Sequence, residues 1–259
     1  MKPLGFFIAF AIGVLVAAGP AVEQNIIRLR HGVNSFALDK TKTWRMAERM
    51  ELSAKLPRRG EVLLGTHQRI RQIAITFDDG PHPENTPQLV ALLKRFHVPA
   101  TFFLVGKMVD QYPYLAKLEV ENGFEVGNHS YSHTCMTKLT RLESLTELRA
   151  DNLAIFRACG KWPHYFRPPG GDADPRTVRE AAANGLAVTM WSDDPGDYQV
   201  TNPKVVIERT LRGLSDGGII LLHDGGPATL QALPTLIRDI RKRGYRFVPL
   251  KDLIKTRVR

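Results

Sequence analysis

From Ile73 onward the chain alternates short β-branched and aromatic runs with longer stretches of helical spacing. IAITF (73–77), ATFFLV (100–105), FEVGN (124–128), YFRPP (165–169), LAVTMW (186–191), IILLH (219–223) and YRFVPL (245–250) read as strands. Between them, segments 87–96, 108–123, 139–160, 173–185, 202–218 and 229–244 place apolar residues three or four apart, and several stop at a glycine. About seven such alternations predict a parallel sheet covered by helices. Right-handed crossovers close it into a barrel or leave it doubly wound, and both arrangements put chemistry at the C-terminal ends of the strands.

Residues 23–70 break this rhythm. They are rich in charge and poor in strand signals, with one amphipathic helix predicted over 41–56 and ended by Pro57 to Gly60. They read as an N-terminal extension to a domain covering 71–255. Ahead of them, Leu4 to Ala18 is an unbroken apolar run of fifteen residues after Lys2. A spanning helix needs ~20 residues, so the run fits a signal-peptide core, with Ala17, Ala18, Gly19 and Ala21 suited to cleavage. Residues 1–22 are thus a signal peptide or a retained anchor that would associate with the membrane. Either way the domain is expected outside the cytoplasm: periplasmic, secreted, or held on the outer side of the cytoplasmic membrane.

The 259 residues carry a formal net charge of +10, which favours acidic polymers or anionic lipid headgroups as partners. Neither a nucleic-acid motif nor a long basic block is present, so no nucleic-acid partner is expected. Cys135 and Cys159 allow a single pairing, and export permits a disulfide. Without a CxxC, a cysteine zinc site is not predicted.

The polar clusters all fall where predicted strands end: Asp78 and Asp79 after IAITF, Asn128, His129 and His133 after FEVG, Arg167 after YF, Trp191 to Asp197 after LAVTM, and His223 with Asp224 after IILL. His129 and His133 stand four apart, and one helical turn would point both imidazoles the same way. Taken alone, the pair is better explained as two surface histidines. A carboxylate from a neighbouring strand end changes that, because two imidazoles and one carboxylate leave open positions on a divalent metal. The second aspartate can then act as a base. His223 suits a general acid, with Asp194 or Asp197 to hold its tautomer, and Arg167 suits a carboxylate-orienting role.

TFDDG, HSYSH, RPPGG, WSDDPGDY and LLHD, in this order and spacing over residues 70–250, resemble the polysaccharide deacetylases, carbohydrate esterase family 4. The resemblance implies a distorted, incomplete (β/α)7-type barrel. It implies metal-dependent removal of N-acetyl groups from N-acetylglucosamine residues, with peptidoglycan the first expected substrate and chitooligosaccharide the next. It assigns the base to Asp78, its orientation to Arg167, the metal to Asp79, His129 and His133, and the acid to His223, supported by Asp197 rather than Asp194. The cofactor implied is a divalent metal, zinc first, with cobalt, nickel or manganese compatible. A backbone N–H near Pro169 and Gly170 would hold the oxyanion, and Trp191, Tyr198 and Leu221 would line the substrate groove.

This chain has Gly170 where the family often has an aromatic residue, and Tyr198 where it often has Trp, so stacking on the sugar is expected to differ. Thr134 and Cys135 replace a common Pro–Asp, and Cys135 reads as a bystander. Two other readings stand beside the deacetylase: a non-catalytic glycan-binding module of the same fold, and an amidohydrolase acting on a non-sugar amide.

Overall fold

The computed structural model describes residues 62–63 and 71–255, which lie in one compact unit. The expected segments 1–22 and, apart from two residues, 23–70 lie outside the described residues.

Eight described strands form one parallel sheet: β1 (Val62–Leu63), β2 (Gln72–Gly80), β3 (Ala100–Leu104), β4 (Glu125–Asn128), β5 (Tyr165–Phe166), β6 (Ala187–Thr189), β7 (Ile219–His223) and β8 (Arg246–Phe247). Their order is β1-β6-β5-β4-β3-β2-β7, with β8 paired to the first residues of β2. Helices α1 (Asn85–Arg95), α2 (Gly106–Gln111), α3 (Pro113–Glu121), α4 (Arg141–Cys159), α5 (Pro175–Ala183), α6 (Pro203–Gly213), α7 (Pro227–Lys242) and α8 (Leu250–Lys255) connect and cover them. The sheet runs from β1 at one edge to β7 at the other, the incomplete (β/α) barrel expected.

Val62–Leu63 pairs with Val188 and Thr189, so a strand arises inside the segment read as an extension. Two residues are too few to display a period-two pattern. The single helix expected over 108–123 is two, because Pro113 lacks an N–H to continue α2 and instead starts α3. The last strand is shorter than expected, and α8 begins at Leu250. α4 follows its local signals. Thr140 and Glu143 form a reciprocal capping box, and Gly160, with φ 70°, ends the helix in a left-handed conformation.

The central strands are buried along most of their length, and Phe77 stacks on Phe102 at 5.2 Å between ring centres. Ile73, Ile75, Leu93, Leu104, Leu233 and Ile237 fill the core beside them. Apart from threonines such as Thr76 and Thr101, this floor is apolar, and the charged candidate residues lie at the strand ends.

Candidate active site

A regular strand sends successive side chains to opposite faces. Two irregularities decide what β2 does with its adjacent carboxylates. Its register with β3 shifts between Phe77 and Gly80, and Asp79 takes a left-handed φ of 69°. Asp78 turns inward and is 3% exposed, while half of Asp79 faces the mouth of the site.

Asp78 Oδ1 accepts a hydrogen bond from Arg167 Nη1 at 2.7 Å. Arg167 is wholly buried. It also donates to Thr76 Oγ1 (2.7 Å), Thr189 O (3.1 Å) and Met190 O (3.0 Å), and its guanidinium lies 4.1 Å over the Phe103 ring. Burial lowers the guanidinium pKa, and the Asp78 carboxylate opposes that shift. Four hydrogen bonds fix the guanidinium plane, and with it the orientation of Asp78.

Asp79 Oδ1 lies 3.3 Å from His129 Nε2 and 3.0 Å from His133 Nε2. Desolvation pushes this carboxyl upward, but hydrogen bonds from both imidazoles outweigh it and hold the group far below the usual carboxylate range. The same hydrogen bond raises the pKa of His133. The two histidines do not share a helical turn, as their spacing suggested. Residues 129–133 form a loop, with Ser130 at φ 62° and His133 at φ 57°. Among the described residues, only one non-glycine position of positive φ, His97, lies outside this group of Asp79, Ser130 and His133. Such conformations cost of order 1 kcal/mol or more each and persist where surrounding contacts impose them.

α4 supplies those contacts. Asp151 Oδ2 accepts from His129 N at 2.9 Å. Glu147 Oε2 accepts from Ser132 N at 2.7 Å and its Oε1 from Ser132 Oγ at 2.8 Å. Asn128 donates to Asn152 Oδ1 and Leu148 O, and accepts from Ser130 N. Glu147 and Asp151 are one turn apart on the helix, so a single face grips both ends of the loop. Sequence reasoning missed them. Their signal was two acidic residues beside Leu148 and Ile155, positions that belong to the core face of α4.

The donor set fits a divalent cation. His129 Nδ1 is 2.7 Å from the Arg167 carbonyl oxygen, which can only accept, so Nδ1 carries a proton. Nε2, which faces Asp79, is the nitrogen that can bind a ligand once its own proton is released. One donor atom from each of Asp79, His129 and His133 lies within 4.8 Å of the other two. Three protein ligands facing an open mouth are the arrangement of a catalytic rather than a structural metal.

β7 brings the third histidine. His223 is directly across from Asp78 in the β2–β7 pairing. Its Nδ1 is 2.7 Å from Asp197 Oδ1, and Asp197 Oδ2 accepts from the His223 backbone N–H and from Thr229 Oγ1. Desolvation pulls the imidazole pKa down, but the Asp197 hydrogen bond and charge prevail and raise it. Asp194 does not reach His223. It is exposed, and its Oδ1 closes a turn by accepting from Gly196 N at 2.8 Å. Of the two aspartates, Asp197 is the one that contacts His223.

The expected groove residues divide. Tyr198 is 58% exposed and stands edge-on to the His223 ring at 4.9 Å, so it presents aromatic surface at the mouth. Gly170 is exposed with φ 62°, and a Cβ there would meet nothing within 4 Å, which leaves that wall open. Trp191 is half-buried, its ring packed on Gly171 and 5.7 Å from the Arg167 guanidinium. Pro169 and Leu221 are buried beneath the rim. Cys135 and Cys159 are both thiols. Cys135 donates to Asp172 Oδ2 at 2.6 Å and Cys159 to Ile155 O at 3.1 Å.

The chain is similar to known proteins over this same region. A polysaccharide deacetylase profile matches residues 66–189. Peptidoglycan-N-acetylglucosamine deacetylase of Bacillus cereus is 36% identical over 188 residues, covering 71% of this chain and 88% of that protein. Peptidoglycan-N-acetylglucosamine deacetylase PgdA of Listeria monocytogenes is 37% identical over 183 residues, 71% of this chain, and the match spans only 39% of the Listeria protein. Among solved structures, a Bacillus anthracis protein described as a pseudoenzyme of carbohydrate esterase family 4 superposes with a TM-score of 0.72 at 30% identity, over 75% of this chain and 69% of that one.

Proposed function

The chain belongs to the polysaccharide deacetylase family, and from that premise we propose that it hydrolyses the N-acetyl groups of N-acetylglucosamine residues in an envelope polysaccharide, with peptidoglycan as substrate. The observation that carries the reading is one rim holding three kinds of group together. These are a buried carboxylate oriented by arginine, a metal-ligand trio, and a histidine backed by its own carboxylate.

Each group has a task in amide hydrolysis. Asp78 takes the proton of the attacking water, and the Arg167 hydrogen bond keeps its free oxygen aimed at the site. Asp79, His129 and His133 would hold the divalent ion, which when bound supplies Lewis acidity toward water and carbonyl oxygen. A backbone N–H near Pro169 and Gly170 donates to the oxyanion. His223, kept protonated by Asp197, gives its proton to the departing amine. Base and acid sit on neighbouring strands at the same register, so both reach one scissile bond.

Two imidazoles and one carboxylate suit zinc, with cobalt, nickel or manganese as substitutes. Peptidoglycan is favoured over chitooligosaccharide by the names of the two relatives and by the apolar run Leu4–Ala18, which would export the domain to where that polymer lies. The open wall at Gly170 and the exposed Tyr198 replace a pair of large aromatics and would admit a bulkier chain beside the reacting sugar.

A pseudoenzyme shares this fold, so the fold alone does not carry activity. Base, ligands and acid are all in place here, which favours an enzyme over a glycan-binding module. The test is acetate release from peptidoglycan and from chitopentaose by metal-loaded and chelated protein. Metal-dependent acetate from peptidoglycan is expected. Acetate from chitopentaose alone would reassign the substrate. None from either, with metal bound, would point to a non-sugar amide. A protein that binds no metal would be a binding module.

A further inference from the structure

Residues 71–255 hold 23 Lys and Arg against 21 Asp and Glu, a net charge of only +2, yet the cations are not spread evenly over them. Helices run back against the parallel strands, so α1, α6 and α7 all end at the pole where the strands begin, opposite the catalytic rim. Lys94 and Arg95 occupy the last turn of α1, and Arg241 and Lys242 the last turn of α7. Arg243, Arg246 and Arg71 join them, and all seven are exposed.

Contacts weld these residues into one surface. Arg241 Nη2 donates to Phe96 O at 2.7 Å and ties the end of α7 to that of α1. Arg71 Nη1 donates to Arg243 O at 2.6 Å, and the Arg243 guanidinium donates to Leu211 O in α6. Arg246 N bonds Arg71 O across the β8–β2 pair. Aromatic rings lie among the cations: Phe96 under Arg95, Tyr245 under Arg71 and Phe247 under Arg241. Asp239 pairs with Lys242, and Asp216 hydrogen-bonds Tyr245. The opposite pole mixes charges, with Asp79, Asp172, Asp174 and Asp194 exposed or half-exposed beside exposed Lys107, Lys138 and Lys204.

Helix C-termini attract cations, and that accounts for some of these bases. It does not account for Arg246, which lies on a strand, or for seven cations meeting at one end. We propose that this pole is a docking face for an anionic lipid surface. The chain favours lipid over a soluble polyanion because β1 and β2 both begin at this pole. The polypeptide that carries the apolar run Leu4–Ala18 therefore joins the domain on the same side. An anionic bilayer would pull the basic pole down and turn the catalytic rim outward, toward a polymer lying beyond the membrane.

The test is sedimentation of the full-length protein with vesicles of phosphatidylcholine alone or mixed with phosphatidylglycerol. The apolar segment acts on both vesicles, so the difference between them reads the basic pole. Each basic residue near an anionic surface strengthens binding roughly fivefold. Lys94→Gln, Arg95→Gln, Lys242→Gln and Arg246→Gln together are expected to lower the preference for anionic vesicles by ~50-fold or more, and added salt should do the same. Lys107→Gln, Lys117→Gln, Arg179→Gln and Lys204→Gln, which remove as many charges elsewhere, should leave it intact. Turnover of soluble oligosaccharide should be unchanged in both. If the fourfold variant does not fold, the Lys94/Arg95 and Lys242/Arg246 pairs are read separately. The proposal is overturned by equal binding of wild type to both vesicles, by a patch variant that binds like wild type, or by equal loss in the control. It is also overturned if the patch is needed for retention on an anionic wall polymer but not on vesicles.

Discussion

Arg167 and Asp78 meet at 2.7 Å with both side chains shut away from water, and Arg167 reaches Asp78 from β5, three strands along the sheet from β2. A carboxylate held this way is acceptor-only and fixed in direction, as a general base requires. Asp78→Asn keeps the shape and removes the basicity. Turnover should fall by ~10²-fold or more, while metal content by atomic absorption stays at the wild-type level. Retained turnover would remove Asp78 from the role.

Breaking the pair from the other side tests the orientation of the base. Arg167→Met leaves Asp78 buried without its cation, and loss of one partner of a buried ion pair costs about 3–5 kcal/mol. The melting temperature should drop along with activity. Asp78→Asn should lower it too, because the Arg167 guanidinium is left buried without a counter-charge, but by less, since Asn still offers an acceptor. A variant with normal stability and full activity would contradict the orienting role.

The metal loop depends on α4. Asp151 accepts the backbone N–H of His129, and Ser130 and His133 are held in left-handed conformations that the loop would not keep by itself. Partners of this kind tune metal affinity by about 10–100-fold. Asp151→Ala should weaken zinc binding by that range in a competition titration, and Asp151→Asn, which keeps an acceptor, should recover most of it. Equal affinity in all three proteins would show that the loop holds its shape unaided.

Much of this site could be read before any coordinates existed. In a parallel sheet the residues that follow each strand converge on one face, so Asp78, Asp79, His129, His133, Arg167 and His223 were marked by position alone. What escaped was held by long-range pairing. Asp151 belongs to the middle of a helix, and nothing local ties it to a loop 22 residues earlier. The residues alone left Asp194 and Asp197 both open, and only the resemblance favoured Asp197. The turn at Gly196, which uses Asp194 itself, is what directs Asp197 to His223. The histidine pair was recognised for the wrong reason: a strained loop, rather than a helical turn, sets its geometry. Val62–Leu63 went unseen because its pairing with β6 is set by the sheet edge and not by its own sequence.

His223 should report its partner through pH. Burial alone would lower its pKa, and Asp197 reverses the sign and raises it. The protonated form is the useful acid, so activity should decline as pH rises through that raised value. Asp197→Asn removes the raising influence, and the alkaline limb of kcat/KM should move to lower pH. Stability follows the same linkage. The contribution of the pair is complete below the ordinary histidine value of 6.5 and is lost as pH climbs through the folded-state value. An alkaline limb that stays in place in Asp197→Asn would show that another group titrates.

Asp193 offers the opposite sign. It is 4% exposed, and its Oδ2 has no hydrogen-bond partner among the described residues. Burial first, and then the charge of Asp194, push its carboxyl up to about 7. A carboxyl raised on folding binds its proton more tightly in the native state, so stability falls as pH rises from 3.8 through about 7. Asp193→Asn abolishes that dependence. Thermal melts at about pH 8 should show the variant more stable than wild type by a few degrees, since about 1 kcal/mol moves the midpoint by about 2–4 °C in a domain of this size. The gain should shrink toward about pH 5 and vanish only below about 3.8, where folded and unfolded wild type both keep the proton. The same difference at both pH values would mean that the substitution acts through packing against Gly213, whose Cα faces Asp193 Oδ1, rather than through charge.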